Sequence, residues 1–220
     1  KTFALKAARE ARLRTSWRKP DDAYEAALAR WLTGVFDDGE LVADIARFAR
    51  SIEARGNTNS LAQLVIKLTA PGVPDIYQGA ELADRNLVDP DNRRPVDFER
   101  RRTLLREITD TTLGPDLVAD LDAAKLWTIR RLLGLRRRDP DLFAGSYEPL
   151  DGGDGVFAFS RNRSVVVVVP RGGTALPDAA VTLPDGSWRD VFTASVVTGR
   201  VSVAELWARF PVAVLVATAP

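Results

Sequence analysis

The sequence changes character near Phe143, and this change limits what the chain can fold into. Before it, apolar residues repeat at helical spacing, whereas after it short Val-rich runs are separated by Gly, Pro and Asp. Runs of the second kind are typical of antiparallel sheets. We therefore predict a mixed α and β chain with two domains. Residues 1–143 form a mostly helical region with one short strand, and residues 144–220 form an antiparallel β-sandwich.

The helical region contains a single segment that predicts a strand, residues 74–78. It is short, and it lies between the helix stop Pro71-Gly72 and the loop that starts at Gly79. An isolated strand cannot satisfy its own backbone N–H and C=O groups. We therefore expect this strand to pair with strands that the chain itself does not provide.

The remaining pattern before Phe143 predicts helices, which are separated by Gly, Pro, Asp and Asn. Gly56 is predicted to end one of these helices, and residues 57–60 to begin the next. The predicted helices span residues 1–14, 21–32, 41–56, 61–68, 97–109 and 123–138.

Composition excludes several classes of chemistry. The chain of 220 residues contains no Cys and no His, so it has no thiolate or His-ligated metal site and no Ser-His-Asp triad. We predict no metal site and no cofactor. The net charge of +1 with interspersed signs, and arginines on the polar side of residues 123–138, predict no nucleic-acid partner.

The sequence also bears on location and completeness. No apolar run approaches the roughly 20 residues that cross a bilayer, and residues 1–14 lack the layout of a signal peptide. We expect no membrane association and a cytoplasmic location. Because the chain has no Met and begins at Lys1 in the middle of a helical pattern, we expect it to be a piece of a longer protein.

Candidate ligand-binding residues lie at the carboxyl end of the predicted strand and just after it, where α/β folds place binding loops. Tyr77, Gln78 and Glu81 suit a sugar, because their polar groups can hydrogen-bond hydroxyls and a Tyr ring can stack on a pyranose. An ordinary connection between a helix and a strand is the alternative, and we favour it for Pro71-Gly72, Pro74 and Gly79.

A second group of candidates lies in the loop that precedes Asp97. Asp89, Asp91, Asn92 and Arg93 are predicted to contact substrate, because acids, amides and the planar Arg fork bind vicinal hydroxyls. The alternative is a self-contained network of turns and salt bridges that only maintains the shape of the loop.

We predict no catalytic residues in this chain. A retaining glycosidase or transferase needs two carboxyls about 5 Å apart, one of which stays protonated. The acids from Asp75 to Asp97 are numerous, but neighbouring arginines favour their ionised forms.

The two loop segments resemble a known family. Leu-Thr-Ala-Pro-Gly-Val-Pro-Asp-Ile-Tyr-Gln-Gly-Ala-Glu-Leu from residue 68 is similar to the end of the catalytic barrel in the α-amylase family, glycoside hydrolase family 13. In combination with Leu-Val-Asp-Pro-Asp-Asn-Arg-Arg-Pro-Val-Asp from residue 87, it most resembles the maltooligosyltrehalose synthases of that family. Shorter matches extend through most of the chain, as far as residues 157–161.

The resemblance implies that residues 74–78 are the last strand of a (β/α)8 barrel that is followed by a C-terminal β-domain. It implies an isomerase, a (1→4)-α-D-glucan 1-α-D-glucosylmutase of trehalose biosynthesis. Such an enzyme moves the reducing-end α-1,4 linkage of a maltooligosaccharide to α,α-1,1 by intramolecular transglycosylation. The family's catalytic Asp and Glu motifs lie on earlier strands and have no counterpart here, so the chain alone should be inactive.

Accordingly, the expected partners are a maltooligosaccharide and the missing N-terminal barrel portion. Two alternatives stay open. One is a free-standing carbohydrate-binding or scaffold module, and the other is part of a different α-amylase-family hydrolase.

Overall fold

The computed structural model describes residues 1–86, 94–108, 115–172 and 178–218. By packing, the chain divides into two compact units. Unit 1 comprises Lys1–Ala54 and Arg85–Pro95, and unit 2 comprises Arg55–Asp84 and Val96–Pro220. The predicted domain boundary between residues 143 and 144 does not coincide with this division, and it stays a prediction.

Helices occupy most of the described chain before Phe143, as predicted. Their bounds are α1 Thr2–Ala11, α2 Asp22–Asp37, α3 Gly39–Thr69, α4 Phe98–Glu107, α5 Pro115–Ala119 and α6 Leu121–Arg138, followed by a 3₁₀ turn at Pro140–Phe143 and, within the sheet region, α7 Val203–Leu206. Among the described residues, no helix is long and apolar enough to cross a membrane.

Aspartate side chains begin three of these helices. Asp21, Asp97 and Asp120 each accept a hydrogen bond from a backbone N–H in the first turn of α2, α4 and α6, respectively. Such caps satisfy donors that have no partner within the helix. At the other end of α3, Pro71-Gly72 prevents continuation, and Gly72 has a φ of +108°.

The predicted break at Gly56 is wrong, because α3 runs without interruption from Gly39 to Thr69. A glycine inside a helix costs only about 1 kcal/mol relative to alanine. Burial of the second half of α3, where Leu61, Val65 and Leu68 are at most 3% exposed, outweighs that cost. The cap residues expected at 57–60 are therefore ordinary helical positions.

The strand predicted at residues 74–78 does not form in this chain. Residues 73–77 have no regular secondary structure, and the only sheet in the described residues begins at Tyr147. A strand requires hydrogen bonds to a neighbouring strand, and the described residues place no strand beside this segment. Its assignment to a barrel stays a prediction.

The described part of the chain after Phe143 forms an antiparallel sheet, as predicted. Its strands are β1 Tyr147–Leu150, β2 Val156–Arg161, β3 Val165–Pro170, β4 Ala180–Asp190, β5 Val196–Ser202 and β6 Ala213–Ala217. Their order in the sheet is β1-β2-β3-β6-β4-β5, and every pair is antiparallel.

The sandwich prediction requires a correction, because the six strands belong to one continuous sheet. Two strands predicted separately, near residues 180–183 and 188–192, are parts of β4, whose register against β5 shifts between Thr182 and Ser187. Alternating residues of β3 face two different cores, with Val167 in one and Val166 in the other. Apolar alternation reports burial of both faces, but it does not distinguish two sheets from one irregular sheet.

Unit 2 contains a continuous core formed by the end of α3, by α6 and by one face of the sheet. Trp127, Phe192 and Phe210 meet at its centre, with ring centroids 5.0 to 5.6 Å apart. Arg161, only 2% exposed, donates hydrogen bonds to the carbonyl oxygens of Thr69, Phe143 and Ser146. One guanidinium therefore connects α3, the 3₁₀ turn and the start of the sheet.

Unit 1 is held by a small polar cluster. Glu25 accepts hydrogen bonds from Arg9, at 2.8 and 2.6 Å, and from Thr15 at 2.5 Å. The Arg9 guanidinium also lies 4.9 Å from the ring centroid of Trp17. Hydrogen bonds from Arg9 and Thr15 lower the pKa of Glu25 to about 2.

Candidate functional site

The candidate site is the turn formed by residues 79–84, which follows Tyr77 and Gln78. The Ala80 N–H donates to the Tyr77 carbonyl oxygen at 2.9 Å. Gly79 has a φ of +95°, and a Cβ at this position would lie 3.3 Å from Val96 Cγ2. Both the backbone conformation and the close approach favour glycine here.

Glu81 and Arg101 fix the start of this turn. Glu81 Oε2 accepts a 2.9 Å hydrogen bond from the Gly79 N–H, and Oε1 accepts one from Arg101 Nε. Arg101 also donates to the Gly79 carbonyl oxygen at 2.7 Å. Both side chains are less than one-fifth exposed, so water screens the ion pair only partly. The pair anchors the turn to α4.

Asp122, near the start of α6, holds a different part of the turn at residues 79–84. Its Oδ1 accepts a 2.7 Å hydrogen bond from the Ala83 N–H, and its Oδ2 accepts one from Arg100 of α4. Asp120 caps α6 directly before it, which fixes the position of Asp122. Two helices are thereby connected through one carboxylate.

Lys125 completes the support. It is 8% exposed, and its ammonium group donates a hydrogen bond to the Leu82 carbonyl oxygen. Burial, together with repulsion from Lys67, lowers the pKa of Lys125, against the opposing attraction of Asp122, Asp84 and Glu81. A buried ammonium needs compensating partners, and this one has a carbonyl contact and nearby acids.

The predicted substrate residues are placed as follows. Tyr77 is 50% exposed and Gln78 is exposed, so both side chains are accessible to a ligand. Glu81 is half-buried, and both of its carboxylate oxygens accept hydrogen bonds from the protein. The other candidates, Asp89, Asp91, Asn92 and Arg93, lie outside the described residues. All seven assignments stay predictions.

This arrangement suits binding rather than proton transfer. Glu81 and Asp122 are both paired with arginines, and all four of their carboxylate oxygens already accept hydrogen bonds from the protein. The described carboxyl whose pKa is raised is Asp190, through burial in the sheet region. Within the described ranges, no group of three or more acidic side chains could hold a metal ion.

Sequence reasoning did not identify Arg101, Asp122 or Lys125 as parts of the site. Asp122 and Lys125 contact the turn across 39 and 43 residues, respectively. The one available signal was a lysine among the apolar residues of α6, where a buried charge requires a polar partner.

Comparison with known proteins first identifies a class of domain. Residues 148–206 match the family described as "Alpha amylase, C-terminal all-beta domain". This match covers β2, β3, β4 and β5 completely, and most of β1.

Whole-chain comparisons are more specific. The chain is 37% identical over 225 aligned residues to a Mycobacterium tuberculosis protein named as a maltooligosyl trehalose synthase. The alignment covers 98% of this chain and 28% of that protein. The structure of maltooligosyltrehalose synthase from Arthrobacter ramosus matches 99% of this chain with a TM-score of 0.87 and 38% identity. A hypothetical maltooligosyl trehalose synthase of Sulfolobus tokodaii matches 98% with a TM-score of 0.79 and 30% identity.

These comparisons confirm the predicted resemblance to the maltooligosyltrehalose synthases of the α-amylase family. The chain spans less than one-third of each relative: 28% of the Mycobacterium tuberculosis protein and 30% of the Arthrobacter ramosus enzyme.

Proposed function

We propose that this chain is the C-terminal part of a maltooligosyltrehalose synthase. The observation that carries the proposal is similarity along nearly the whole chain to the Arthrobacter ramosus enzyme, at a TM-score of 0.87. The complete protein would act as an isomerase on maltooligosaccharides. It would break the reducing-end α-1,4 bond and join the same glucose through its 1-hydroxyl, forming an α,α-1,1 linkage.

In this proposal, the chain binds and positions substrate while the reacting groups lie in the remaining polypeptide. Residues 74–78 would be the last strand of the catalytic barrel, paired with strands from outside the chain. Support comes from the lack of regular secondary structure at residues 73–77 and from the turn after them. Four side chains of α4, α6 and the turn itself hold that turn in place. A firmly held turn is what substrate positioning requires.

Tyr77 and Gln78 are the proposed sugar contacts in the described region. Their exposure leaves the Tyr ring free to stack on a pyranose and the amide free to bind hydroxyls. Glu81 would contribute by shaping the turn, and any contact it makes with sugar would share an oxygen that already accepts a hydrogen bond. Asp89, Asp91, Asn92 and Arg93 would complete the set. The cytoplasmic location stays a prediction.

Incubation with maltoheptaose tests this function. The 220-residue chain is assayed alone and together with the part of the Arthrobacter ramosus enzyme that it does not match. We expect no conversion by the chain alone, and loss of reducing ends without glucose release by the mixture. Release of new reducing ends would support a hydrolase instead. Binding without conversion in both samples would support a carbohydrate-binding module.

Variants in the active mixture test the proposed contacts. Tyr77→Ala and Gln78→Ala should each lower kcat/KM about tenfold, which corresponds to about 1.4 kcal/mol of lost transition-state binding. Gln63→Ala is the matched control, because Gln63 is also exposed but lies on α3. Equal kinetics for Gln78→Ala and Gln63→Ala would argue against a sugar contact by Gln78.

A further inference from the structure

Residues 1–54, which form most of unit 1, lack an apolar core. Among residues 1–54, the only buried side chain is that of Thr15, although several large apolar side chains are present. Many of these are exposed: Leu13, Trp17, Tyr24, Trp31, Phe36, Leu41, Val42, Ile45, Phe48 and Ile52. Folded proteins leave single apolar side chains exposed routinely, but a large contiguous apolar surface marks an interaction site.

Four of the exposed side chains form an ordered row, which we call the α3 stripe: Leu41, Ile45, Phe48 and Ile52. They are 39%, 54%, 67% and 49% exposed, respectively. Their spacing of four, three and four residues places them on one face of the helix. The opposite side of the same segment is charged, with exposed Arg50 directly across from the stripe.

This segment needs a partner to be stable as a helix. Most helical stability in proteins comes from packing an amphipathic face, and propensity alone barely stabilises a few turns in water. Burying a Phe or Ile side chain stabilises in proportion to the apolar area removed from water, and the α3 stripe lacks this contribution while it faces solvent. The ion pair between Asp44 and Arg47 on this segment is exposed and contributes little.

We propose that the α3 stripe is the docking surface for the part of the synthase that this chain does not match. This proposal rests on the proposed function. The chain accounts for 30% of the Arthrobacter ramosus enzyme, so about 70% of that polypeptide is available to cover the stripe. Because 99% of this chain is matched, the segment that carries the stripe has a counterpart within that single larger protein. An intramolecular partner therefore explains the exposure without requiring a second copy.

Co-production tests the proposal. The 220-residue chain is made together with the affinity-tagged unmatched part of the Arthrobacter ramosus enzyme, and the fraction of chain that co-purifies is measured. The affinity is then determined by titration. The test variant carries Ile45→Gln and Phe48→Gln. The matched control carries Arg50→Gln and Glu53→Gln, which lie outside the stripe on the same helix and are also exposed.

We expect the wild type and the control to bind equally and the stripe variant to bind at least about 30-fold more weakly, since two buried apolar side chains are lost. The wild type and both variants, each measured alone, should give the same far-UV circular dichroism spectrum, because all four substituted positions are exposed. Equal binding by both variants would overturn the proposal, as would no binding by the wild type. A dimer of the chain alone that the stripe variant dissociates would assign the surface to a second copy instead.

Product analysis separates this proposal from the proposed function. Association through the stripe without non-reducing product would leave the docking surface standing and remove the function. Formation of non-reducing product by the stripe variant at wild-type affinity would support the proposed function and rule out the stripe as the docking surface.

Discussion

The two halves of α3 differ in their surroundings far more than in their sequence pattern. Residues 39–54 and 61–69 both carry apolar side chains at helical spacing. In the first half, Ile45 and Phe48 are more than 50% exposed, whereas in the second half Leu64 and Leu68 are at most 5% exposed. The comparison teaches that periodicity identifies the face of a helix that will be buried, but not whether the chain itself contains the partner.

The second half of α3 has its partner within unit 2. Leu61, Val65 and Leu68 belong to the same core as Trp127 of α6 and Phe159 of β2. Each side chain therefore gains both removal from water and close packing. The first half has neither, and this difference makes measurable predictions.

The largest difference between the two halves of α3 is expected in the loss of unfolding free energy when an apolar side chain is truncated in each. Leu68→Ala should lower the free energy of unfolding by about 3 kcal/mol, because it leaves a cavity in a core position that is 0% exposed. Phe48→Ala should change it by about 0.5 kcal/mol or less, since Phe48 is 67% exposed. Urea unfolding of both variants checks the pair. Similar losses would mean that the first half of α3 is already packed in this chain.

A smaller effect is expected from neighbouring arginines on α4. Arg101→Met should cost about 1–2 kcal/mol, because Glu81 and the Gly79 carbonyl lose a half-buried donor. Arg102→Met should cost about 0.5 kcal/mol or less, since its pair with Glu99 is exposed. Urea unfolding measures both values, and hydrogen exchange at Gly79 should accelerate only in the first variant. Equal effects would contradict a specific role for Arg101.

Acid should weaken unit 1 through Glu25. Its pKa of about 2 in the folded chain lies below the ordinary value of 4.5, so its stabilising effect is present above pH 4.5 and is lost as the pH falls toward 2. Helix content measured by circular dichroism between pH 2 and 6 should show this loss. Glu25→Gln should remove the dependence, and an unchanged titration in that variant would exclude Glu25 as its source.

The opposite pH dependence is expected in unit 2 from Asp190. Burial raises its pKa above the ordinary value of 3.8, so its contribution to stability is fully present below pH 3.8 and is lost as the pH rises through the raised pKa. Thermal unfolding of Asp190→Asn and of the wild type across pH 3–8 checks the sign. A stability difference that does not vary with pH would show that Asp190 does not titrate in this range.

Local signals in the sequence predicted much of the fold. The helix predicted to begin at Asp97 and the helix stop at Pro71-Gly72 depend on chemistry within a few residues, and both are confirmed. The helix end predicted at Gly56 is wrong because packing of later residues of α3 outweighs the weak preference of glycine against helix. The failed strand at residues 74–78 depended on neighbours, which no pattern in the segment itself could provide.

The candidate site was only partly predictable for the same reason. Tyr77 and Gln78 could be identified from their position at the carboxyl end of the expected strand, and both are exposed. Lys125 and Asp122 reach the turn from a helix about 40 residues away, a contact that only tertiary packing creates. Single-sequence reasoning identifies residues that follow a motif more readily than residues that support it.

The buried guanidinium of Arg161 has a consequence for proteolysis. Its three carbonyl partners come from three separate stretches of backbone, at Thr69, Phe143 and Ser146. A protease that cuts the peptide bond after Phe143 would therefore leave two fragments that remain attached and co-elute under native conditions. The apolar core that the helices share with the sheet would also hold the fragments together, so only a denaturant would separate them.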